Sequence, residues 1–437
     1  MLTLSALLGA VIVLAIGIIV LRQTDRIRPF FSGDEAEISA ESAERRSGLE
    51  EDRDDSEVES ETQSSDRSPQ TSLPSDDGDT GAGEELGFEL LACPEGTIPE
   101  VCDAAEFVQI ERQRPFKEFP RLELVDGDDF AATFLDDLDE DREELEAARA
   151  ALVGLGLIPA DYDLFSGYKS LIGSGALGVY FPETGEMKVR GGDFNLFAQS
   201  VLVHELTHAL DDQYFDLSRE FDDGEMSYGF VATIEGNAQR VESAWRDELS
   251  PVESLELRAQ EATALSLEDT LRLAQVPVAL LQFLQSPYSD GQLWVESVVR
   301  AEGEAGVDAA LTAPPATSEQ ILHPDIAPEL GAVTEVPIPE PGGEVVEEGV
   351  LGELTLRIWL GPGVAAGWGG DQYVAWFDDD GRGCFAANIA ADSPRDLLEM
   401  ETALERWVEE AVVAPDVERN VEQGGENRRY LAVTGCA

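Results

Sequence analysis

Apolar and polar positions divide the chain into three regimes. Residues 2–21 form an uncharged, apolar run of 20 residues. A helix of that length rises ~1.5 Å per residue and spans ~30 Å, the thickness of a hydrocarbon core. The run predicts a transmembrane helix, with residues 1–31 as anchor and juxtamembrane segment. It is long for the apolar region of a signal peptide, no basic side chain precedes it, and no small-residue cleavage site follows. Residues 32–87 then carry Ser, Asp, Glu, Gly and Pro with hardly an aromatic. Such a composition cannot bury a core, so a disordered acidic linker is expected. As a flexible chain it would reach roughly 40 Å, holding a folded domain clear of a membrane.

From Phe88 onward the pattern is globular. A helical stretch of mixed charge covers residues 136–152 and ends at Gly154 and Gly156 ahead of Pro159. Two short alternating runs, 176–181 and 186–190, flank Pro182-Glu183-Thr184-Gly185 and predict a hairpin. Helical periodicity follows over about 195–213, 227–249, 253–285 and 290–302. Near the C-terminus, 372–377 and 384–389 predict strands, 393–412 a helix and 429–434 a last strand. The expected fold class is α+β. A mostly helical domain over 88–340, with a small antiparallel sheet before its central helix, is followed by a strand-helix-strand region over 341–437.

Charge changes the picture. The chain carries a net −61, of which the linker stretch 33–86 accounts for −15 and residues 87–437 for −48, so the globular part is itself strongly acidic. Such a field repels nucleic acid and anionic lipid, and it destabilises a compact state unless salt screens it. Only Lys117, Lys169 and Lys188 are lysines, against 26 arginines. Surplus carboxylate with almost no lysine resembles the proteins of salt-in halophiles, where concentrated salt supplies the screening; an ordinary acidic secreted protein is the alternative. The four cysteines, Cys93, Cys102, Cys384 and Cys436, make two local pairs without a CxxC spacing. They predict either two disulfides or four free thiols, and disfavour a cysteine metal site. Arg22, Arg26 and Arg28 follow the apolar run and by the positive-inside rule would hold the bulk of the chain in the cytoplasm. Disulfides would argue for an oxidising, extracytoplasmic location at the cell membrane, which is the orientation favoured.

The chemistry concentrates at residues 201–212, VLVHELTHALDD. On a helix His204 and His208 lie four residues apart on one face, so both imidazoles can reach one ion while Leu202, Leu206 and Leu210 turn to the core. Glu205, beside the first ligand, can accept a proton from metal-bound water; this is the HExxH zinc pattern. Zinc needs a third protein ligand and, for catalysis, an open position. The helical segment from Tyr228 offers Glu235, 27 residues after His208 and followed by the small Gly236. Its return antiparallel to the first helix would present that carboxylate. Glu242, on the same broad face, is the rival.

HELTHAL followed by Asp-Asp-Gln and then Glu-Gly-x-Ala resembles the gluzincins, the thermolysin-like clan of zinc peptidases. The likeness is to a group of predicted bacterial and archaeal metallopeptidases that also carry segments similar to GVYFPETGEMKVRGG, PPATSEQILHP and GWGGD. It covers roughly residues 120–395. The resemblance implies Zn2+ held by His204, His208 and Glu235, with Glu205 as general base and a peptide as substrate. It places Asp212 at an acidic position behind the zinc helix. The clan also sets an acidic orienting residue four after the ligand Glu; here that position is Gln239, with Asn237 as a possible substitute.

The remaining histidine, His323, follows Thr317, Ser318 and Gln320, which can cap a short turn that Pro324 stops. It is expected either to face the substrate and stabilise an oxyanion or to cap a loop through its ring nitrogens. Asp378-Asp379-Asp380-Gly381 lacks the later Glu of a calcium loop and predicts a strand-connecting turn. The functional alternative to a membrane-anchored zinc peptidase acting on peptide or protein is a non-catalytic surface module with a structural zinc. Oligomeric state is not legible in the sequence.

Overall fold

The computed structural model describes residues 87–125, 142–175, 178–182, 184–190, 194–221, 223–264, 267–324, 333–411, 417–424 and 429–437. The expected anchor and nearly all of the linker lie outside the described residues. Among the described residues no helix is long and apolar enough to cross a membrane.

Two long helices organise the first part. Helix α4 (Leu196–Phe215) starts at Asn195, whose side chain accepts from the Ala198 N–H, and stops where Asp216 turns left-handed. Helix α5 (Gly224–Asp247) starts at Asp223, which accepts from the Glu225 and Met226 N–H groups. Helix α1 (Pro99–Glu111) packs Val101, Ala104, Ala105 and Val108 against Leu202, Leu206 and Leu210 of α4. The expected hairpin is present as β2 (Gly178–Phe181) and β3 (Glu186–Arg190), paired antiparallel. The sheet is not purely antiparallel, because β1 (Arg121–Val125) pairs parallel to β3 and gives the order β1-β3-β2. The connection from β1 to β3 contains helices α2 (Arg142–Leu155) and α3 (Leu164–Gly175), a crossover that a parallel pair requires.

Downstream, the continuous helix expected over 253–285 is broken. It resolves into α6 (Pro251–Ala264), α7 (Leu267–Leu273) and the start of α8 (Val278–Glu302). Pro277 caps α8 and forces the residue before it out of helical geometry. By contrast Pro287 lies inside α8 without ending it, buried in the packing. The stretch expected over 290–302 is the C-terminal half of that helix. Gly236 of α5 meets Gly291 of α8. A Cβ on Gly236 would lie 2.2 Å from the Gly291 carbonyl carbon, and one on Gly291 would lie 2.3 Å from the Ala232 carbonyl oxygen. The two helices touch backbone to backbone. Short helices α9 (Glu304–Thr312) and α10 (Ser318–Leu322) close this part.

The C-terminal region is larger than a strand-helix-strand unit. Strands β4 (Val345–Gly349), β5 (Trp368–Phe377), β6 (Gly383–Ala391), β7 (Glu418–Gly424) and β8 (Tyr430–Cys436) form an antiparallel sheet of order β4-β5-β6-β8-β7. Helix α13 (Pro394–Ala411) joins β6 to β7, and helices α11 (Gly352–Leu360) and α12 (Pro362–Ala365) join β4 to β5. The expected boundary at 340 does not separate two cores. Helix α2, far upstream in sequence, packs Ala150, Ala151 and Leu155 on Phe385 and Trp407, and Trp407 Nε1 donates to the Leu155 carbonyl at 3.0 Å. The described residues from Phe88 to Ala437 belong to one compact unit.

Both cysteine pairs are disulfides, Cys93–Cys102 and Cys384–Cys436. The second joins directly paired residues of β6 and β8. Asp378 accepts from the Asp380 and Arg382 N–H groups and from Arg382 Nε, so the triple-aspartate segment is the expected strand-connecting turn.

Two segments singled out in the sequence tie this sheet to α5. Asp371, the last residue of GWGGD, accepts from the Leu351 and Gly352 N–H groups at the start of α11 and from Trp368 Nε1. One turn further, the Leu354 N–H donates to Ser318 Oγ of PPATSEQILHP, and Ser318 donates through N and Oγ to Glu225 at 2.8 and 2.7 Å. Glu225 stands in the first turn of α5. Replacing Gly236 tests whether close helix contact sets the position of α5: Gly236→Ala should cost about 1–3 kcal/mol in chemical denaturation, the usual scale of overpacking. Unchanged stability would show that the α5/α8 contact is slack.

Candidate metal centre

Helices α4 and α5 bring His204, His208 and Glu235 together. Glu235 Oε2 lies 3.3 Å from His204 Nε2 and 3.5 Å from His208 Nε2. One ligand atom from each of the three residues falls within 4.8 Å of the others, the spacing of donors around a single ion. The helices are antiparallel, as expected: Ser200 meets Glu242, and His208, two turns later on α4, meets Glu235, two turns earlier on α5. Each donor is no more than 1% exposed, and Glu205 is fully buried.

Buried polar atoms without a hydrogen bond gather at this point: Glu205 Oε1 and Oε2, His208 Nε2, Glu235 Oε1 and His204 Nδ1. Such atoms are expensive unless something satisfies them. Two imidazoles and a carboxylate are a donor set suited to zinc, and three protein donors leave a position open. The residues present therefore fit a divalent metal. Among the described residues no fourth His, Cys, Asp or Glu joins the three. The other grouping of metal-type side chains, Asp378 with Cys384 and Cys436, is consumed by the disulfide.

Glu205 meets the strand that precedes it. β2 stands at the end of the three-stranded sheet, so one of its edges is unpaired by β3. The Tyr180 N–H lies toward the Glu205 carboxylate, though neither oxygen makes a well-formed hydrogen bond. Gly178 permits this approach, since a Cβ there would lie 2.9 Å from Glu205 Cγ.

Electrostatics separate the carboxylates. Burial pushes Glu205 up to about 8, against the pull of His204. Burial also acts upward on Glu235, but His208 and His204 hold it down at about 2. For His204, burial alone would lower the imidazole, and the neighbouring Glu235 and Glu242 carboxylates instead raise it to about 10. Raised in this way, His204 favours its protonated form, with which a metal ion would have to compete.

Other expected residues stand elsewhere. Glu242 is not among the three clustered donors; it faces His204 Nδ1 at 3.3 Å, on the far side of the ring from Glu235. Asn237 donates to Asp211 at 2.6 Å rather than reaching a donor. Asp212 accepts from the Tyr180 hydroxyl and the Leu217 N–H, both at 2.8 Å. His323 is the C-cap of α10, its N–H donating to the Glu319 carbonyl at 3.0 Å. Its ring, however, pairs with Glu353 of α11 at 2.9 Å and is not among the clustered donors. Buried Glu353 supplies the partner that the sequence could not reveal. Sequence reasoning missed Tyr288, whose ring stacks on His204 with centroids 6.0 Å apart. No spacing signal links a residue on α8 to α4; only the close α5/α8 packing brings it there.

Comparison with family models, with curated proteins and with solved structures returns no match.

Because His204 is raised to about 10 in the metal-free protein, metal must displace a proton at neutral pH. Affinity for zinc should therefore rise as pH increases from 6 to 9. Calorimetric titrations in two buffers of different ionisation enthalpy should show release of about one proton or more per metal. Equal affinity across that range, with no proton released, would contradict the arrangement.

Proposed function

We propose that this chain is a zinc-dependent hydrolase of peptide bonds, with His204, His208 and Glu235 as metal ligands and Glu205 as general base. The observation that carries the reading is the buried cluster of two imidazoles and a carboxylate with the unsatisfied Glu205 carboxylate beside it. Bound zinc would supply Lewis acidity, polarising the scissile carbonyl and making water acidic near neutral pH. The chain's own residues do the rest. Glu205 takes a proton from the attacking water and passes it to the leaving amine. Among the described residues β2 pairs with no strand on the side away from β3, and an extended peptide that added there as a further strand would pass Gly178, where β2 comes closest to Glu205.

A structural zinc site is the competing reading. Three clustered protein donors rather than four, and a carboxylate poised beside them, favour the enzyme. The apolar run at 2–21 and the acidic stretch after it support a membrane anchor and a spacer. The two disulfides favour an extracytoplasmic domain.

The roles separate by substitution. Glu205→Gln should bind zinc stoichiometrically yet hydrolyse a peptide library about 10² to 10⁴ times more slowly, whereas His208→Ala should lose both metal and activity. These assays belong in molar salt, which screens the −48 carried by residues 87–437. Wild-type turnover by Glu205→Gln would rule the mechanism out.

A further inference from the structure

The structure assigns to Glu242 the positioning of His204: we propose that its carboxylate fixes the imidazole through Nδ1 and so sets the metal affinity of the centre. This rests on the reading of His204 as a ligand and deepens it. An acidic residue four after Glu235 is the expected orienting group, yet Gln239 occupies that place and Asn237 is engaged by Asp211. Glu242 lies seven residues after Glu235, two turns along α5, and returns to nearly the same face. It is no more than 1% exposed.

Every bond of this carboxylate restricts its rotation. Oε1 accepts from Ser200 Oγ at 3.0 Å and from Arg246 Nε and Nη2 at 3.0 and 2.7 Å. Oε2 accepts from Gln239 Nε2 at 3.1 Å and lies 3.3 Å from His204 Nδ1. Ser200 precedes His204 by one turn of α4, so the carboxylate bridges the two helices next to the ligand. Arg246 is itself held by Glu261 of α6 at 2.7 Å and donates to Ser200 Oγ at 3.0 Å. With Nε2 turned to Glu235 and Nδ1 3.3 Å from Glu242, the ring has one tautomer suited to binding metal: Nδ1–H faces the carboxylate, short of a well-formed hydrogen bond in the metal-free site, and Nε2 keeps its lone pair. The same geometry excludes Glu242 as a fourth ligand, since it stands behind the ring that the metal would face.

The test uses the full chain in molar salt, loaded with zinc or cobalt. Glu242→Gln should weaken zinc binding about 10- to 100-fold in a chelator competition and shift the visible absorption of the cobalt-loaded protein. That spectrum reports the donors themselves and would not move if Glu242 only filled space or neutralised Arg246. Glu261→Gln, which leaves both bonds from Arg246 to Glu242 in place, should alter neither readout. If Glu242→Gln does not fold, Glu242→Asp keeps the charge opposite Arg246 while drawing the oxygen back from Nδ1, and it too should weaken binding. Wild-type zinc affinity and an unshifted cobalt spectrum in the folded variant would overturn the assignment while leaving the metal site standing. Zinc binding that His208→Ala does not change would overturn both.

Discussion

Five ionisable side chains, His204, Glu205, His208, Glu235 and Glu242, are buried between α4 and α5 with no more than 1% exposure each. No protein interior tolerates that many uncompensated charges, because transferring even one from water costs several kcal/mol. Arg246 neutralises Glu242, and the carboxylates around His204 favour its protonated form. Glu205 keeps two unsatisfied oxygens, and Glu235 keeps one. A divalent cation is the economical solution, and the donors are already spaced for it. The fold around them is best understood as a device for holding this arrangement against its own electrostatic cost.

Three supports do the holding. Behind the donors, fully buried Arg112 bridges Asp211 of α4 to Glu304 and Asp308 of α9, and Arg240 of α5 joins the same Glu304 and Glu111 of α1. Removing one member of such a buried network costs about 3–5 kcal/mol, since it strands the others. Gly236 and Gly291 bring α5 and α8 into backbone contact, which carries Tyr288 to His204. At its N-terminus α5 is tied through Glu225, Ser318 and Asp371 to the C-terminal sheet. The sheet is thus a buttress for the helix that carries Glu235, and His323 belongs to that buttress through Glu353.

Local signals made part of this legible. Four-residue spacing placed His204 and His208 on one face, and the 27-residue separation let Glu235 return toward them on an antiparallel helix. Alternation around Pro182-Glu183-Thr184-Gly185 gave the hairpin, and even cysteine spacing allowed the two disulfides. What escaped was set by contacts remote in sequence. β1 is a five-residue strand completed only by its parallel neighbour, and β4 and β7 are edge strands with mostly exposed side chains. Nothing local distinguishes Pro277, which caps a helix, from Pro287, which lies within one. Glu242 was legible as a group on the right face but not as the partner of Nδ1 rather than of a metal, because both roles share one helical spacing.

The proposed chemistry requires that His204, His208 and Glu235 hold a single zinc ion with a position left open. Anomalous diffraction on either side of the zinc edge, from crystals of the zinc-loaded chain, tests it most directly. The prediction is one peak bonded to Nε2 of both histidines and to the Glu235 carboxylate at ~2.0–2.2 Å, with solvent in the remaining position. A peak elsewhere, or a fourth protein ligand closing the site, would contradict it.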